Sequence, residues 1–274
     1  MRLPILTPTL INQLERCEVA YMIDRMNAIR ERPGNPMGIE MTTFGSATAF
    51  YSEAMPWPQF NAVKGIGVGE IELLDDILAF YRERERKPQF EVVPGRDNPA
   101  LMQALMTRGF YFKGYHATLY GELDAAAAEA ARLTRGAGLL VHKLEEAEFD
   151  RYAEIHCRGT GLPLSGVGPI ADNNRVLYNR PGWQFFIAEL DGIPAGVGVM
   201  YAEGEVASLT FAATLPEFRN RGVQNALLAE RITTADQNGQ RLIVGQAAYA
   251  SASFRNMQRA GLALGYTRGA WVTE

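Results

Sequence analysis

The sequence is poor in the residues that build covalent or metal-linked structure. It holds two cysteines, Cys17 and Cys157, and three histidines, His116, His142 and His156. Two isolated thiols make no disulfide framework; they read as core residues of a protein kept in a reducing compartment, and a cytoplasmic location is expected. The histidines lie far apart without ligand spacing, so no metal is expected. Positive charge is not in excess either. Lys and Arg number 27 against 31 Asp and Glu, a net charge of −4, which argues against broad electrostatic binding and leaves no nucleic-acid partner expected. No apolar run approaches the ~20 residues of a membrane span, and residues 1–6 lack the apolar core of a signal peptide, so no membrane partner is expected.

What is present is apolar material. Hydrophobic residues make up 47% of 274, enough for a sizeable core in one large domain or two ordinary ones. Leu10, Leu14, Val19, Met22, Ile23 and Met26 recur at helical spacing, so 8–30 reads as one or two helices. Residues 39–51 read as extended, 60–68 as a strand into a glycine-rich turn, 71–86 as an amphipathic helix and 89–93 as a short strand. Residues 99–107 read as a helix stopped by Gly109, and 115–123 as a strand. The alanine-rich stretch 124–135 holds few large apolar residues and reads as a solvated helical connector, which places a domain boundary there. The pattern then restarts: a strand at 139–143, a helix at 145–157, and a Gly/Pro/Asn-rich loop at 159–179. Strands at 184–190 and 195–202 turn at Asp191-Gly192, and a third strand runs over 206–214. A helix from 226, a strand at 242–246, a helix at 251–260 and extended chain at 263–272 complete it. The halves end alike, with Arg108-Gly109-Phe110 beside Arg259-Ala260-Gly261-Leu262, an internal duplication.

The most informative stretch is Pro216-Glu217-Phe218-Arg219-Asn220-Arg221-Gly222-Val223-Gln224-Asn225. It links a strand to a helix through an Arg/Gly loop. The first N–H groups of a helix have no intrahelical partner, the macrodipole adds positive charge there, glycine admits a bulky anion, and arginine forks onto phosphate oxygens. Such a loop suits a diphosphate.

With its neighbours, this stretch resembles the GNAT superfamily of acyl-CoA-dependent N-acyltransferases over about 139–272. Arg219 and Gly222 match the first and fourth positions of the family's Gln/Arg-x-x-Gly-x-Gly/Ala signature, with Gln224 departing at the sixth. The Asp191-Gly192 hairpin resembles the family's second and third strands, and 253–261 the helix before its last hairpin. The resemblance implies an α/β fold of two tandem GNAT-like domains, 1–130 degenerate and 131–274 functional, each a mixed twisted sheet flanked by helices. It implies acetyl-CoA as co-substrate. Ala212, Ala213 and Thr214 would lie along the pantetheine arm and Arg219, Asn220, Arg221, Gly222, Val223, Gln224 and Asn225 around the pyrophosphate, with Ser253 and Asn256 beside the cofactor. The activity implied is transfer of an acetyl group to an amine of a small molecule or peptide, in a cleft roofed by the 159–179 loop. A homodimer is one expected assembly.

The resemblance leaves the acid and base open. The tyrosine that many members carry four residues before the last helix's glycine is Met257 here. Tyr249 and Tyr201 are the candidate acids, and no spacing selects a base among Glu189, Glu203 and Glu205. The alternative reading is a non-catalytic CoA-binding sensor or scaffold protein that has lost its acid. An NAD-linked oxidoreductase would rest on Gly65-Ile66-Gly67-Val68-Gly69 alone, and the surrounding order is wrong for a dinucleotide fold. That first-half turn carries no arginine pair and is not expected to hold a cofactor well.

Overall fold

The computed structural model describes residues 5–130 and 138–274. The chain divides into two compact units. The N-terminal unit is Leu6–Thr118 together with Gly265–Glu274, and the C-terminal unit is Leu119–Leu264.

In the N-terminal unit, α1 (Pro8–Arg30) starts at Thr7, whose hydroxyl accepts from Leu10 N at 3.2 Å, with proline in its first turn. The hairpin β1 (Ile39–Phe44) and β2 (Ala47–Ser52) occupies the stretch expected to be simply extended, which reverses at Gly45 with φ +60. β3 (Ala62–Lys64) is shorter than expected because the chain leaves the sheet at Gly65, φ +76. A 3-10 turn over Val68–Leu73 then delays the helix expected at 71–86, which is α2 (Leu74–Arg82). Next come β4 (Gln89–Val92), α3 (Pro99–Thr107) and β5 (Tyr111–Glu122), which begins in this unit and ends in the other.

The C-terminal unit continues with α4 (Leu123–Ala130), β6 (Leu139–Lys143), α5 (Phe149–Thr160), α6 (Val167–Arg175), β7 (Trp183–Leu190), β8 (Ile193–Glu203) and β9 (Val206–Thr214). It closes with α7 (Val223–Gln237), β10 (Leu242–Ala248) and α8 (Ala252–Arg259). The last strand, β11 (Ala263–Val272), lies almost wholly in the N-terminal unit and pairs antiparallel with β4. Strand order is β1-β2-β3-β4-β11-β5 in the N-terminal unit and β5-β10-β9-β8-β7-β6 in the C-terminal unit. Each unit includes a parallel pair, β3 with β4 and β10 with β9.

Two expectations need correction. The alanine-rich connector is helical from Leu123 to Ala130 but is not solvated: Leu123, Ala125, Ala126 and Ala130 are buried, and the helix packs on α7. Small side chains allow that close approach; the connector's remainder, 131–135, lies outside the described residues. The stretch expected to be a loop over 159–179 contains α6, which buries Ala171, Asn173 and Asn174 and ties Asn174 Nδ2 to Ile170 O at 2.7 Å. Burial of one helical face overrides the poor helix propensity of Gly, Pro and Asn.

A buried ionic cluster anchors α1 to the N-terminal sheet. Lys64 on β3 pairs with Glu18 on α1 at 2.8 Å and with Glu91 on β4; Arg268 on β11 pairs with Glu91 at 2.8 Å and with Glu18. Burial pulls the Arg268 guanidinium down to about 10.

Candidate functional site

The site is built where β9 hands the chain to α7. After Thr214 the backbone makes a 3-10 turn over Pro216–Phe218, then takes left-handed conformations at Asn220, φ +61, and Gly222, φ +85. Asparagine and glycine are the residues that adopt this region at least cost. Gly222 is the N-cap of α7 and supplies no capping side chain. Its carbonyl accepts from Ala226 N at 3.0 Å, so the N–H groups of 223–225 are the helix's orphan donors. They border a cleft of about 580 Å³ formed by the turn, β9 and α8.

β9 and β10 open beside that cleft. Their parallel register runs from Val206–Leu242 to Leu209–Gly245, and residues 210–214 and 246–248 lie beyond it. At this fork the buried Thr210 Oγ1, Thr214 Oγ1, Asn225 Oδ1 and Gln246 Nε2 find no hydrogen-bond partner among the described residues. β9 also bulges against β8 there. Gly198 pairs with Ala212 and Met200 with Leu209, so Thr210 and Phe211 together face Val199. A fork, a bulge and an uncapped helix start thus share one side of the unit.

The cleft gathers most of the residues named from the sequence. Ala212, Ala213, Thr214, Arg219, Asn220, Gly222, Val223, Gln224, Asn225, Ser253 and Asn256 all line it. Arg219 Nη2 donates to Gly159 O at 2.9 Å, which ties the end of α5 to the turn. Arg221 is the exception. It turns to Asp191 Oδ2 at 3.8 Å and lies over the Phe218 ring at 5.6 Å, outside the lining. Arg255 and Arg259, one helical turn apart on α8, line the cleft and were not singled out from the sequence. The signal was present: an (i, i+4) arginine pair beside Ser253 and Asn256.

The candidate acids stand elsewhere. Tyr249 is 58% exposed with its ring 5.2 Å from Phe254, and Tyr201 is 7% exposed against Trp183 at 4.9 Å. Neither lines the cleft. Met257 is buried, and a Cβ on Gly245 would meet its Cε at 3.0 Å, so the glycine on β10 makes room for the thioether. Glu205 pairs with Arg241 at 3.4 Å, and neither it, Glu189 nor Glu203 lines the cleft.

Solved structures share this architecture. A GCN5-related N-acetyltransferase from Kribbella flavida aligns over 92% of this chain and 95% of its own, at 16% identity and a TM-score of 0.65. One from Sphaerobacter thermophilus aligns over 100% and 94%, at 13% identity and 0.62. A tandem GNAT protein from the clavulanic acid biosynthesis pathway aligns over 74% and 69%, at 14% identity and 0.59. The fold is GNAT-like. No family model matches the sequence, and no curated protein matches it either.

Within this GNAT-like chain, the glycine turn of the N-terminal unit borders a smaller cleft of about 320 Å³, and its donors are taken by the unit's own side chains. The parallel β3–β4 register ends at Val63–Phe90, and the next residues, Lys64 and Glu91, form an ion pair. The glycine turn is capped by Glu70, whose carboxylate accepts from Gly67 N at 2.9 Å, Ser46 N at 3.0 Å and Ser46 Oγ at 2.9 Å. A carboxylate of the chain itself thus sits on the glycine turn's donors. Arg96, which lines the same cleft, is taken by Gly65 O at 2.8 Å and Glu15 at 2.9 Å.

Proposed function

We propose that the chain is an acyl-CoA-dependent N-acyltransferase, moving an acetyl group from acetyl-CoA to an amine of a small molecule or peptide. The observation that carries this reading is the uncapped α7 N-terminus behind the Arg219–Gly222 turn, opening onto the forked end of β9 and β10. The orphan N–H groups of 223–225 and the Arg219 guanidinium suit a diphosphate. The unpaired edges of β9 and β10 suit an arm carrying amides, and the donors at the bulge suit a thioester carbonyl. Bound there, the thioester would supply the activated acyl group; the chain's part is to hold it, orient it and exclude water. We also propose that the sequence carries tandem copies at 1–130 and 131–274, which differ from the compact units because β11 packs in the first unit, and that only the second copy holds cofactor.

A second reading, a non-catalytic CoA-binding sensor or scaffold, is favoured by one observation. Met257 is a core residue, and no tyrosine lines the cleft among the described residues. Thermal shift with CoA, acetyl-CoA and NAD tests both. CoA and acetyl-CoA at about a hundred times Kd should add about 2.7 kcal/mol of stability, and NAD none. No shift with either CoA ligand would overturn the cofactor assignment. Binding without thiol release across a broad amine panel would favour the sensor.

A further inference from the structure

Arg231 is 1% exposed in the middle of α7, and no carboxylate among the described residues neutralises it. Its Nε donates to Leu227 O at 3.0 Å and its Nη1 to Val199 O at 3.2 Å, while Nη2 has no partner among the described residues. Burial pulls this guanidinium down to about 10. A buried cation without a counter-ion is costly and is kept only where the surroundings determine it. Here they do. Gly198 has no side chain, and a Cβ there would lie 3.0 Å from Arg231 Nε and 3.1 Å from Cζ. The neighbouring Gly196 likewise leaves room for Val223 and Leu227, where a Cβ would meet Val223 Cγ1 at 2.6 Å. Two glycines on β8 therefore admit α7, and the second admits a guanidinium.

The carbonyl that this guanidinium holds belongs to Val199, the one β8 residue facing two residues of β9. Gly198, against which it packs, pairs with Ala212 of the cleft wall. We propose that Arg231 is a positioning residue for acyl transfer: from the α7 side it fixes Val199 O and thereby the bulge that presents the Thr210 and Phe211 backbone at the fork. This rests on the acyltransferase reading for its kinetic consequence, but not for its structural one. Arg231 touches neither the diphosphate turn nor the proposed acyl group. Its removal should therefore leave cofactor binding and disturb the geometry of transfer.

The test compares Arg231→Met, Arg231→Lys and Gly198→Ala in the full chain. Backbone hydrogen exchange over 209–213 should rise at least about tenfold in Arg231→Met while the core of α7 stays protected. Gly198→Ala, whose Cβ would crowd the guanidinium by a few tenths of an ångström, should shift exchange in the same direction, and the two substitutions combined should not add. Arg231→Lys should restore part of the protection. With an accepted amine, kcat should fall by up to about a hundredfold while KM for acetyl-CoA moves less than about threefold. Unchanged exchange over 209–213 in Arg231→Met would overturn the assignment, as would wild-type kcat in that variant. If Arg231→Met does not fold, Gly198→Ala and Arg231→Lys decide on the same readouts. Absence of acyl transfer by the wild type would sink the acyltransferase reading alone, and the exchange measurement would still decide the role of Arg231.

Discussion

At the scale of single residues, the cleft depends on a few positions where one side chain or its absence decides what fits. Gly222 holds φ +85 at the helix start, a conformation that a β-branched residue adopts only with strain. Arg219 lines the cleft and ties itself to Gly159 O. Arg219→Ala with Gly222→Val should weaken CoA binding by about a hundredfold or more, since it removes a charge-assisted contact and the close backbone approach. Circular dichroism and the melting transition should show a retained fold, and unchanged affinity by calorimetry would refute the assignment. Gly245 and Met257 show the opposite case. The sequence displays a methionine where a tyrosine is common in similar folds, and packing shows why it stays: the thioether fills the space above a glycine.

At the scale of elements, the two strand–turn–helix arrangements diverge in how their polar groups are satisfied. In the C-terminal unit, among the described residues, the α7 start has no side-chain cap and four buried polar atoms at the fork have no partner. In the N-terminal unit Glu70 takes the turn's donors, and Lys64 bonds Glu91 across the end of the register. One CoA per chain is therefore the expected stoichiometry by calorimetry. Glu70→Ala should cost about 1–3 kcal/mol of stability, because it strands the N–H groups of Gly67 and Ser46, and urea unfolding would measure it. A second CoA equivalent bound by the unmodified protein would sink this expectation. The Arg/Gly turn, the Asp191-Gly192 hairpin and α1 were legible in the sequence, because each rests on local chemistry: φ above zero, charge, and 3.6-residue spacing. The helix α6 and the burial of α4 were not. Both owe their state to surfaces supplied by distant segments, which local propensity does not carry.

At the scale of the whole molecule, the chain's last strand belongs to the unit in which the chain begins. β11 pairs with β4, and its Arg268 bonds Glu18 and Glu91 inside that unit. Removing one partner from a buried ion cluster leaves uncompensated charge. Arg268→Met should therefore cost about 3–5 kcal/mol, seen as a lowered urea midpoint. Ending the chain before residue 263 should be worse, making 6–118 sensitive to limited proteolysis; equal resistance would show that β11 does not complete that unit. The sequence by itself determined the class of fold, the duplicated order of elements, and the Arg219–Gly222 turn between a strand and a helix start. All three depend on short-range spacing and on backbone preferences that each residue carries with it. Only the tertiary structure decided that Arg221 turns away to Asp191 while Arg255 and Arg259 join the cleft. It also decided that Arg231 reaches Val199, and that β11 closes the first unit instead of the second. Those outcomes depend on which distant carbonyls, carboxylates and glycine spaces come together, and strand exchange brings together residues that no local pattern links.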